Sequence, residues 1–341
     1  MKCKFILLIT LLHVLNSNSQ NFNGMESLLL VAEDERNYVF QEYLRPLITS
    51  VNYSMAGGWS HTAKTHKKLG FDITLSVNAL FIPSSAETYS TSALSSITSS
   101  SEFLPTVLGG KTNETMSITL FQEGTVPELT ASFTAPSGIK EELQLGLVAT
   151  PSLQIGLGLP LKTDLIVRYI PTISNKNTSI GLMGIGLKHN LLQYFGPADK
   201  IPFIDLSLLA AYSAYSIDYD IQKTSNLGGQ GQQAVMNMNS YVVRLISSVD
   251  LKLVTFYASA GYSKGFSNLN ILGSYSLIYS VTDSQEDITL SITDPLIVSW
   301  ENESISANAG ISVNLPGIRI FADYTAQNYN SVSVGVSLGI R

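Results

Sequence analysis

The sequence predicts an all-β protein: an antiparallel, transmembrane up-and-down β-barrel of about 14 strands behind a short N-terminal helical segment. Three observations predict it. The final stretch, Ile305 to Arg341, alternates apolar and polar residues in three successive runs. Only 13% of residues are charged, about half the usual share of a soluble domain. Yet no run of 18 apolar residues exists outside the first twenty positions, so the apolar residues are dispersed rather than gathered into a membrane helix.

The closing runs carry the strand assignment. Ile305, Ala307, Ala309, Ile311 and Val313 face one way, with polar or small residues between them. Ile318, Ile320, Ala322, Tyr324 and Ala326 repeat the pattern, with Phe321 the one exception. In the last run, Val332, Val334, Val336, Leu338 and Ile340 oppose a face made only of Ser and Gly. Side chains on a strand alternate with period two, so each run is a strand with one apolar face. Leu315-Pro316-Gly317 and Asn328-Tyr329-Asn330 supply turn chemistry between them. Ten residues, Ser331 to Ile340, extend about 33 Å at roughly 3.3 Å per residue. Tilted by about 40°, they project to roughly 25 Å, the height of a barrel's apolar band. A soluble sandwich explains the alternation, but its strands average about five or six residues. A closed ring requires the final strand to pair with the first, at Leu69–Ile82.

At the other end, residues 1–19 read as a secretory leader. Lys2 and Lys4 precede the apolar core Phe5–Leu12, and Ser17-Asn18-Ser19 offers a cleavage site. Cys3, the only cysteine, leaves with it, which excludes disulfides, thiol chemistry and Cys-type zinc sites in the mature chain. The net charge of −6 becomes −8 without Lys2 and Lys4, and no basic stripe suggests nucleic acid.

Residues 20–60 form an N-terminal helical plug or periplasmic cap, and residues 61–341 the barrel. Phe40, Leu44, Leu47, Ile48, Val51 and Met55 have helical spacing. Glu33-Asp34-Glu35 suits a helix start, Pro46 opens a second short helix, and Gly57-Gly58 ends the helical stretch. From Leu69 the period becomes two. Residues 84–101, with nine serines, read as a mobile loop. Further strands are expected near 115–122, 128–134, 143–149, 152–159, 163–173, 179–188, 203–221, 239–250, 253–264, 271–281 and 288–300. Ala149-Thr150-Pro151 and Leu159–Lys162 read as tight turns, and 222–238 as a long polar loop.

Several phrases resemble an uncharacterised, domain-of-unknown-function family of outer-membrane barrels of Bacteroidetes. They are Tyr43-Leu44-Arg45-Pro46, Gly58-Trp59, His66-Lys67, Leu69-Gly70-Phe71-Asp72, Gly186-Leu187-Lys188-His189 and Ile201 to Ser207. The resemblance implies an outer-membrane location and carries no activity or site residues. In architecture the chain is also similar to long-chain fatty-acid transporter barrels, with a hatch inside the ring. Outer-membrane barrels usually end in an aromatic residue read by the insertion machinery, whereas this chain ends Gly339-Ile340-Arg341.

Chemical motifs are sparse. His189 would need a serine and an orienting group to act as a base, and reads instead as a strand-end histidine at the interface. His61 and His66 lie in a polar segment with Lys64, Lys67 and Lys68, cations that disfavour a metal. That segment reads as solvated, or as contacting lipid phosphates at the rim. Asp218 and Asp220, and Asp283, Glu286 and Asp287, match no calcium-loop spacing. Gly156-Leu157-Gly158 and Gly228–Gly231 do not open helices, so no nucleotide loop is implied. Tyr169, Tyr194, Phe195, Tyr212, Tyr215, Tyr324 and Tyr329 suggest interface girdles. The sequence thus predicts a non-enzymatic outer-membrane barrel, without catalytic, cofactor or metal residues. It would pass a small, apolar molecule passively, with outer-membrane lipid and the insertion machinery as partners. The alternatives are a structural or surface-display barrel binding partners through long loops, and a soluble secreted β-protein.

Overall fold

The computed structural model describes residue 28 and residues 33–120, 129–175, 177–196, 201–221, 227–280 and 287–340. Residues 1–19, Asp283, Glu286 and Arg341 lie outside the described residues.

Ten antiparallel strands close into a ring. They are β1 (Phe71–Phe81), β7 (Leu147–Leu159), β8 (Thr163–Asn175), β9 (Thr178–Asn190), β10 (Ile204–Asp220), β11 (Leu227–Leu251), β12 (Val254–Ser280), β14 (Leu296–Leu315), β15 (Ile318–Ala326) and β16 (Ser331–Ile340). β16 pairs with β1 from Phe71↔Ile340 to Leu80↔Ser331, which is the closure the terminal alternation required. The β11–β12 hairpin completes the ring. β13 (Asp287–Thr293) pairs only with the upper part of β12, outside the ring.

The expected count of about 14 is therefore corrected to ten, for four physical reasons, the first being that the 288–300 segment is not a strand of its own but holds β13, outside the ring, and the start of β14, which continues through the 305–313 run. The 143–149 and 152–159 segments are one strand, β7: Pro151 opposes Val77 on β1, while pairing to β8 begins only at Gln154. Its missing N–H is harmless on a one-sided stretch. The 253–264 and 271–281 segments are likewise one strand, β12. Segments 115–122 and 128–134 contain β5 (Thr115–Leu120) and β6 (Leu129–Thr134), which leave the ring for a separate sheet with β3 (Ile97–Ser99).

Two expected loops are also ordered structure. The serine-rich 84–101 stretch supplies β2 (Thr88–Ser90) and β3, and β2 pairs with β4 (Phe103–Pro105). Of the glycine- and glutamine-rich 222–238 stretch, residues 227–238 are the top of β11, where the register shifts between Gln230 and Gln233, and 222–226 lie outside the described residues. A Cβ on Gly273 would stand 2.3 Å from the Gly231 carbonyl, so only glycine permits this bulge.

One continuous helix, α1 (Glu33–Ala56), replaces the two short helices expected around Pro46. The proline is buried within it, and Ser50 Oγ donates to the Pro46 carbonyl at 2.7 Å. Packing on nearly every side holds α1 together where an isolated helix would break. Gly57 and Gly58 end it, with Gly58 at φ +67°.

The ring is inside out relative to a soluble protein. On β1, Asp72, Thr74, Ser76 and Asn78 are buried, while Phe71, Ile73 and Leu75 are exposed. Leu153 and Ile155 on β7, Ile185 and Leu187 on β9, Val243 and Leu245 on β11, and Val334 and Val336 on β16 continue the exposed apolar surface around the ring. A contiguous exterior of this kind far exceeds what soluble monomers show to water. Among the described residues, no helix is long and apolar enough to cross a membrane.

The two ends differ. One carries turns such as Pro160-Leu161-Lys162, Lys252-Leu253 and Pro316-Gly317. The other carries the 82–146 unit, β13 and the upper parts of β11 and β12. Those two strands run 25 and 27 residues, more than twice the roughly 9–11 needed to cross a bilayer.

Candidate functional site

The interior is not empty. Twenty-four helical residues, about 36 Å long, descend from the long-loop end into the ring. Gln41 Nε2 donates to the Ser299 carbonyl at 3.0 Å, Thr49 Oγ1 to Asn302 Oδ1 at 2.8 Å, and Tyr53 OH to the Glu303 carbonyl at 3.1 Å. These contacts step down β14. Asn52 Nδ2 donates to Ser267 Oγ on β12 at 2.9 Å. Residues 57–70 then continue through the interior to the short-turn end, where Leu69 N donates to the Gly158 carbonyl at 2.9 Å and β1 begins.

Two kinds of packing hold this inner segment. Towards the long-loop end the contacts are apolar: Phe40, Ile48 and Met55 share one core with Leu182, Met238, Leu269, Val298 and Trp300 of the ring. Leu104, Leu108, Met116 and Ile118 of the 82–146 unit join the same core. Glu35 ties that unit to α1 by accepting bonds from the backbone and side chains of Ser95 and Ser96. Burial opposes ionisation of Glu35, but these bonds outweigh it and draw the carboxyl down to about 2.

Towards the short-turn end the contacts are polar. Arg168 on β8, 2% exposed, donates from Nη1 to the Met55 carbonyl at 3.0 Å and from Nη2 to the Gly57 carbonyl at 2.9 Å. Met55 lies in the last turn of α1 and Gly57 directly follows it, so both carbonyls lack helical partners. The same guanidinium lies 4.1 Å from the ring of Trp59, whose Nε1–H also donates to Met55 O at 3.0 Å. The indole rests on Gly184 and Gly186 of β9, where a Cβ would come within 3.0–3.1 Å of it. Below Trp59, His66 stands between two carboxylates, with Nδ1 3.1 Å from Asp164 and Nε2 3.3 Å from Asp72. Lys188 Nζ is 3.1 Å from the same Asp164 oxygen and donates to the Lys64 carbonyl at 3.0 Å. His61 stacks on Phe321 at 4.6 Å, 12° from parallel. The space left among these groups is about 10 Å³, room for a single water. A shallower recess of about 160 Å³ opens at the short-turn mouth beside Asn314, Arg319 and Ser337.

His61 and His66, read as solvated, are therefore corrected: both are buried, at 4% and 5% exposure. Lys64, Lys67 and Lys68 between and after them are exposed. Among the described residues no group of three His, Cys, Asp or Glu side chains has the geometry to hold a metal; Lys188 supplies the cation beside Asp164. His189 is the penultimate residue of β9, with Nδ1 2.7 Å from Thr163 Oγ1 and Nε2 2.9 Å from Tyr194 OH, and no carboxylate among those partners. Gly156 and Gly158 are not a nucleotide loop but the clearance for His66 and the Lys67 carbonyl. Asp218 and Asp220 lie at the upper end of β10. Tyr194 and Phe195 are exposed at the short-turn rim, whereas Tyr329 packs edge-on against Tyr53 at 5.8 Å.

Nothing local marked Asp164, Arg168, Lys188 or Phe321 as a cluster. Their one common signal is strand parity: each is a charged or bulky residue on the inward-facing register of an otherwise apolar-out strand.

A closed antiparallel ring with an apolar exterior and a filled interior, polar towards the short-turn end, defines a transmembrane β-barrel. The chain belongs to DUF6588, a family of unknown function that matches residues 1–340. No curated protein matches the chain. Solved structures to which it is similar include Ail, the attachment invasion locus protein of Yersinia pestis, at 8% identity and a TM-score of 0.26, covering 80% of this chain and 100% of that one. The translocator domain of the autotransporter NalP from Neisseria meningitidis aligns at 12% identity and 0.29, covering 92% and 99%. A monoaromatic hydrocarbon channel, the TodX deltaS2 mutant, aligns at 8% and 0.26, covering 80% and 90%.

Proposed function

We propose that this chain is an outer-membrane β-barrel whose N-terminal segment plugs its own lumen, and that it passes a small, apolar molecule passively when the plug gives way. The observation that carries the reading is the path of residues 33–70. They run through the ring from one mouth to the other and are held by side chains of β1, β8, β9, β12 and β14. The apolar cargo follows from the upper lumen: with α1 displaced, Leu182, Met238, Leu269 and Val298 would line an apolar funnel at the long-loop mouth. In this class short turns face the periplasm and long loops the exterior, which puts the 82–146 unit outside. Residues 1–19 would direct export.

Conductance in planar bilayers tests this. The intact chain is expected to be closed, and deletion of 25–66, which removes α1 and the segment that fills the lumen below it, to open a pore. A deletion variant that inserts, runs with heat-modifiable gel mobility and stays closed would sink the plug. Uptake of a fluorescent apolar probe into vesicles separates a passage from a mere hole.

A second reading has its own observation. β11, β12 and β13 build a sheet beyond the ring, and 82–146 adds two more small sheets there, a platform suited to display. Exchange of 82–146 that leaves uptake intact while abolishing binding to a surface partner would favour it.

A further inference from the structure

At the short-turn end, three connections break ordinary turn chemistry in the same way. Leu161 and Lys162 between β7 and β8 have φ of +61° and +49°; Lys252 between β11 and β12 has φ +61°; Leu69, next to Lys68 before β1, has φ +65°. Four of the six non-glycine residues with positive φ among the described residues thus sit on this one rim. Glycine or asparagine fits such positions without strain. The rim's own Pro316-Gly317 turn shows the unstrained solution, with Gly317 at φ +76°. The strained turns instead each hold a leucine beside a lysine. Leu69 is 74% exposed and Leu161 76%, and Lys67, Lys68, Lys162 and Lys252 are exposed with them. Lys64 is also exposed and lies 3.6 Å from Asp250. Among the described residues of this end the only carboxylates near the surface, Asp205 and Asp250, are half-buried. Tyr194, Phe195 and Phe203 are exposed along the same rim, at the level where aromatic residues mark the headgroup boundary of a bilayer. The lysines lie at or just beyond that level, where lipid phosphates would be.

We infer that this rim is a binding ring for anionic phospholipid headgroups. Each turn inserts a leucine among the acyl-chain ends and sets a lysine against a phosphate, and strain at the turn is retained because Asn-Gly would supply neither side chain. The inference rests on the membrane reading. It assigns the rim a lipid class, phosphatidylglycerol-like, that the barrel alone does not demand.

The test reconstitutes the full chain in phosphatidylcholine vesicles containing a minority of phosphatidylglycerol, and counts retained lipids by native mass spectrometry. Wild type is expected to retain phosphatidylglycerol above its bulk ratio, more so at low salt. K67Q/K68Q/K162Q/K252Q should fall towards the bulk ratio, by up to about fivefold per lysine in direct contact. The second variant, L161N/K162G, gives the turn residues suited to positive φ. It should keep or raise the thermal midpoint while lowering phosphatidylglycerol retention, so loss of binding cannot be loss of fold. Unchanged enrichment in both variants, or none in wild type, overturns the lipid ring. A chain that inserts into no vesicle overturns the membrane reading instead.

Discussion

Replacing Arg168 with Met tests the inner segment at its most constrained point. The change keeps much of the side-chain volume and removes every donor. Two charge-assisted bonds to the α1 terminus disappear, to Met55 O at 3.0 Å and Gly57 O at 2.9 Å, each worth about 1.5–3 kcal/mol. The cation–π contact with Trp59 at 4.1 Å adds about 2 kcal/mol in a desolvated site. Against these stands relief of the cost of burying a guanidinium, several kcal/mol in practice. The net expectation is a plug held less tightly by about 2–4 kcal/mol, which raises the displaced population roughly 30- to 700-fold at tenfold per 1.4 kcal/mol. The chain's only cysteine, Cys3, precedes the proposed mature start, so Ala63→Cys supplies a single reporter in a residue with 0% exposure. In folded barrels, maleimide labelling at position 63 should be slow in the Ala63→Cys reference and faster by that factor with Arg168→Met. Flickering conductance should rise in parallel. Labelling indistinguishable from the reference, in a variant with unchanged heat-modifiability, would refute the idea that Arg168 holds the segment in place.

Other perturbations probe the remaining supports. Gly186→Val puts a Cβ 3.1 Å from both Trp59 and Ala211; overpacking should cost about 1–3 kcal/mol, read as a lower urea midpoint that Trp59→Phe partly restores. Asp164→Asn leaves Lys188 and His66 without their shared carboxylate and should cost about 3–5 kcal/mol, with Asp164→Asn/Lys188→Met recovering part of the thermal midpoint. Glu35 has its folded pKa near 2 against an ordinary 4.5, so its contribution is complete above pH 4.5 and is lost as pH falls towards 2. Proteolysis of the 82–146 unit by an acid protease should therefore accelerate across that window in wild type, and be fast and flat in Glu35→Gln.

How much of this was legible in the sequence follows from where each signal lies. Strand alternation is local, so β1, β8, β9, β15 and β16 were readable, as was the pairing of the last strand with the first. The Ser and Gly face of β16 was readable too: Ser331, Ser333 and Ser337 are buried inward. Pairing partners are not local. Ile97–Ser99 becomes a strand only because Thr115–Leu120 lies beside it, so a serine-rich stretch looked like a loop. Pro151 reads as part of a tight turn and the Gly228–Gly231 run as part of a long loop because strand breakers are tolerated at one-sided edges and bulges, which pairing alone decides. The helix was visible in its 3.6-residue spacing, but its continuity through Pro46 depends on neighbours up to about 250 residues away, as the Tyr53–Glu303 bond illustrates.

The histidines were misplaced for a more general reason. Polar residues in a soluble domain face water, and that expectation put His61 and His66 on the surface. In a barrel the outward face is apolar, so the polar register is the buried one and a polar connecting segment can be the most enclosed part of the chain. Phe321 is the residue that resolves this. It is the one break in the alternation of its strand, an aromatic on the inward register, and a face otherwise made of Ser and Gly leaves room for it: a Cβ on Gly335 would stand 2.4 Å from its ring. A large apolar side chain on a polar lumen face needs a partner brought from elsewhere in the chain, and that partner is the His61 ring. The exception in the pattern marks where the barrel wall meets what fills it. The same search, for inward residues too large or too charged for an empty water-filled lumen, also finds Arg168, Lys188 and Tyr257. Two of the three hold the inner segment directly. Tyr257 donates instead to Asp323 at 2.8 Å, a wall-to-wall bond that stiffens the ring beside Phe321.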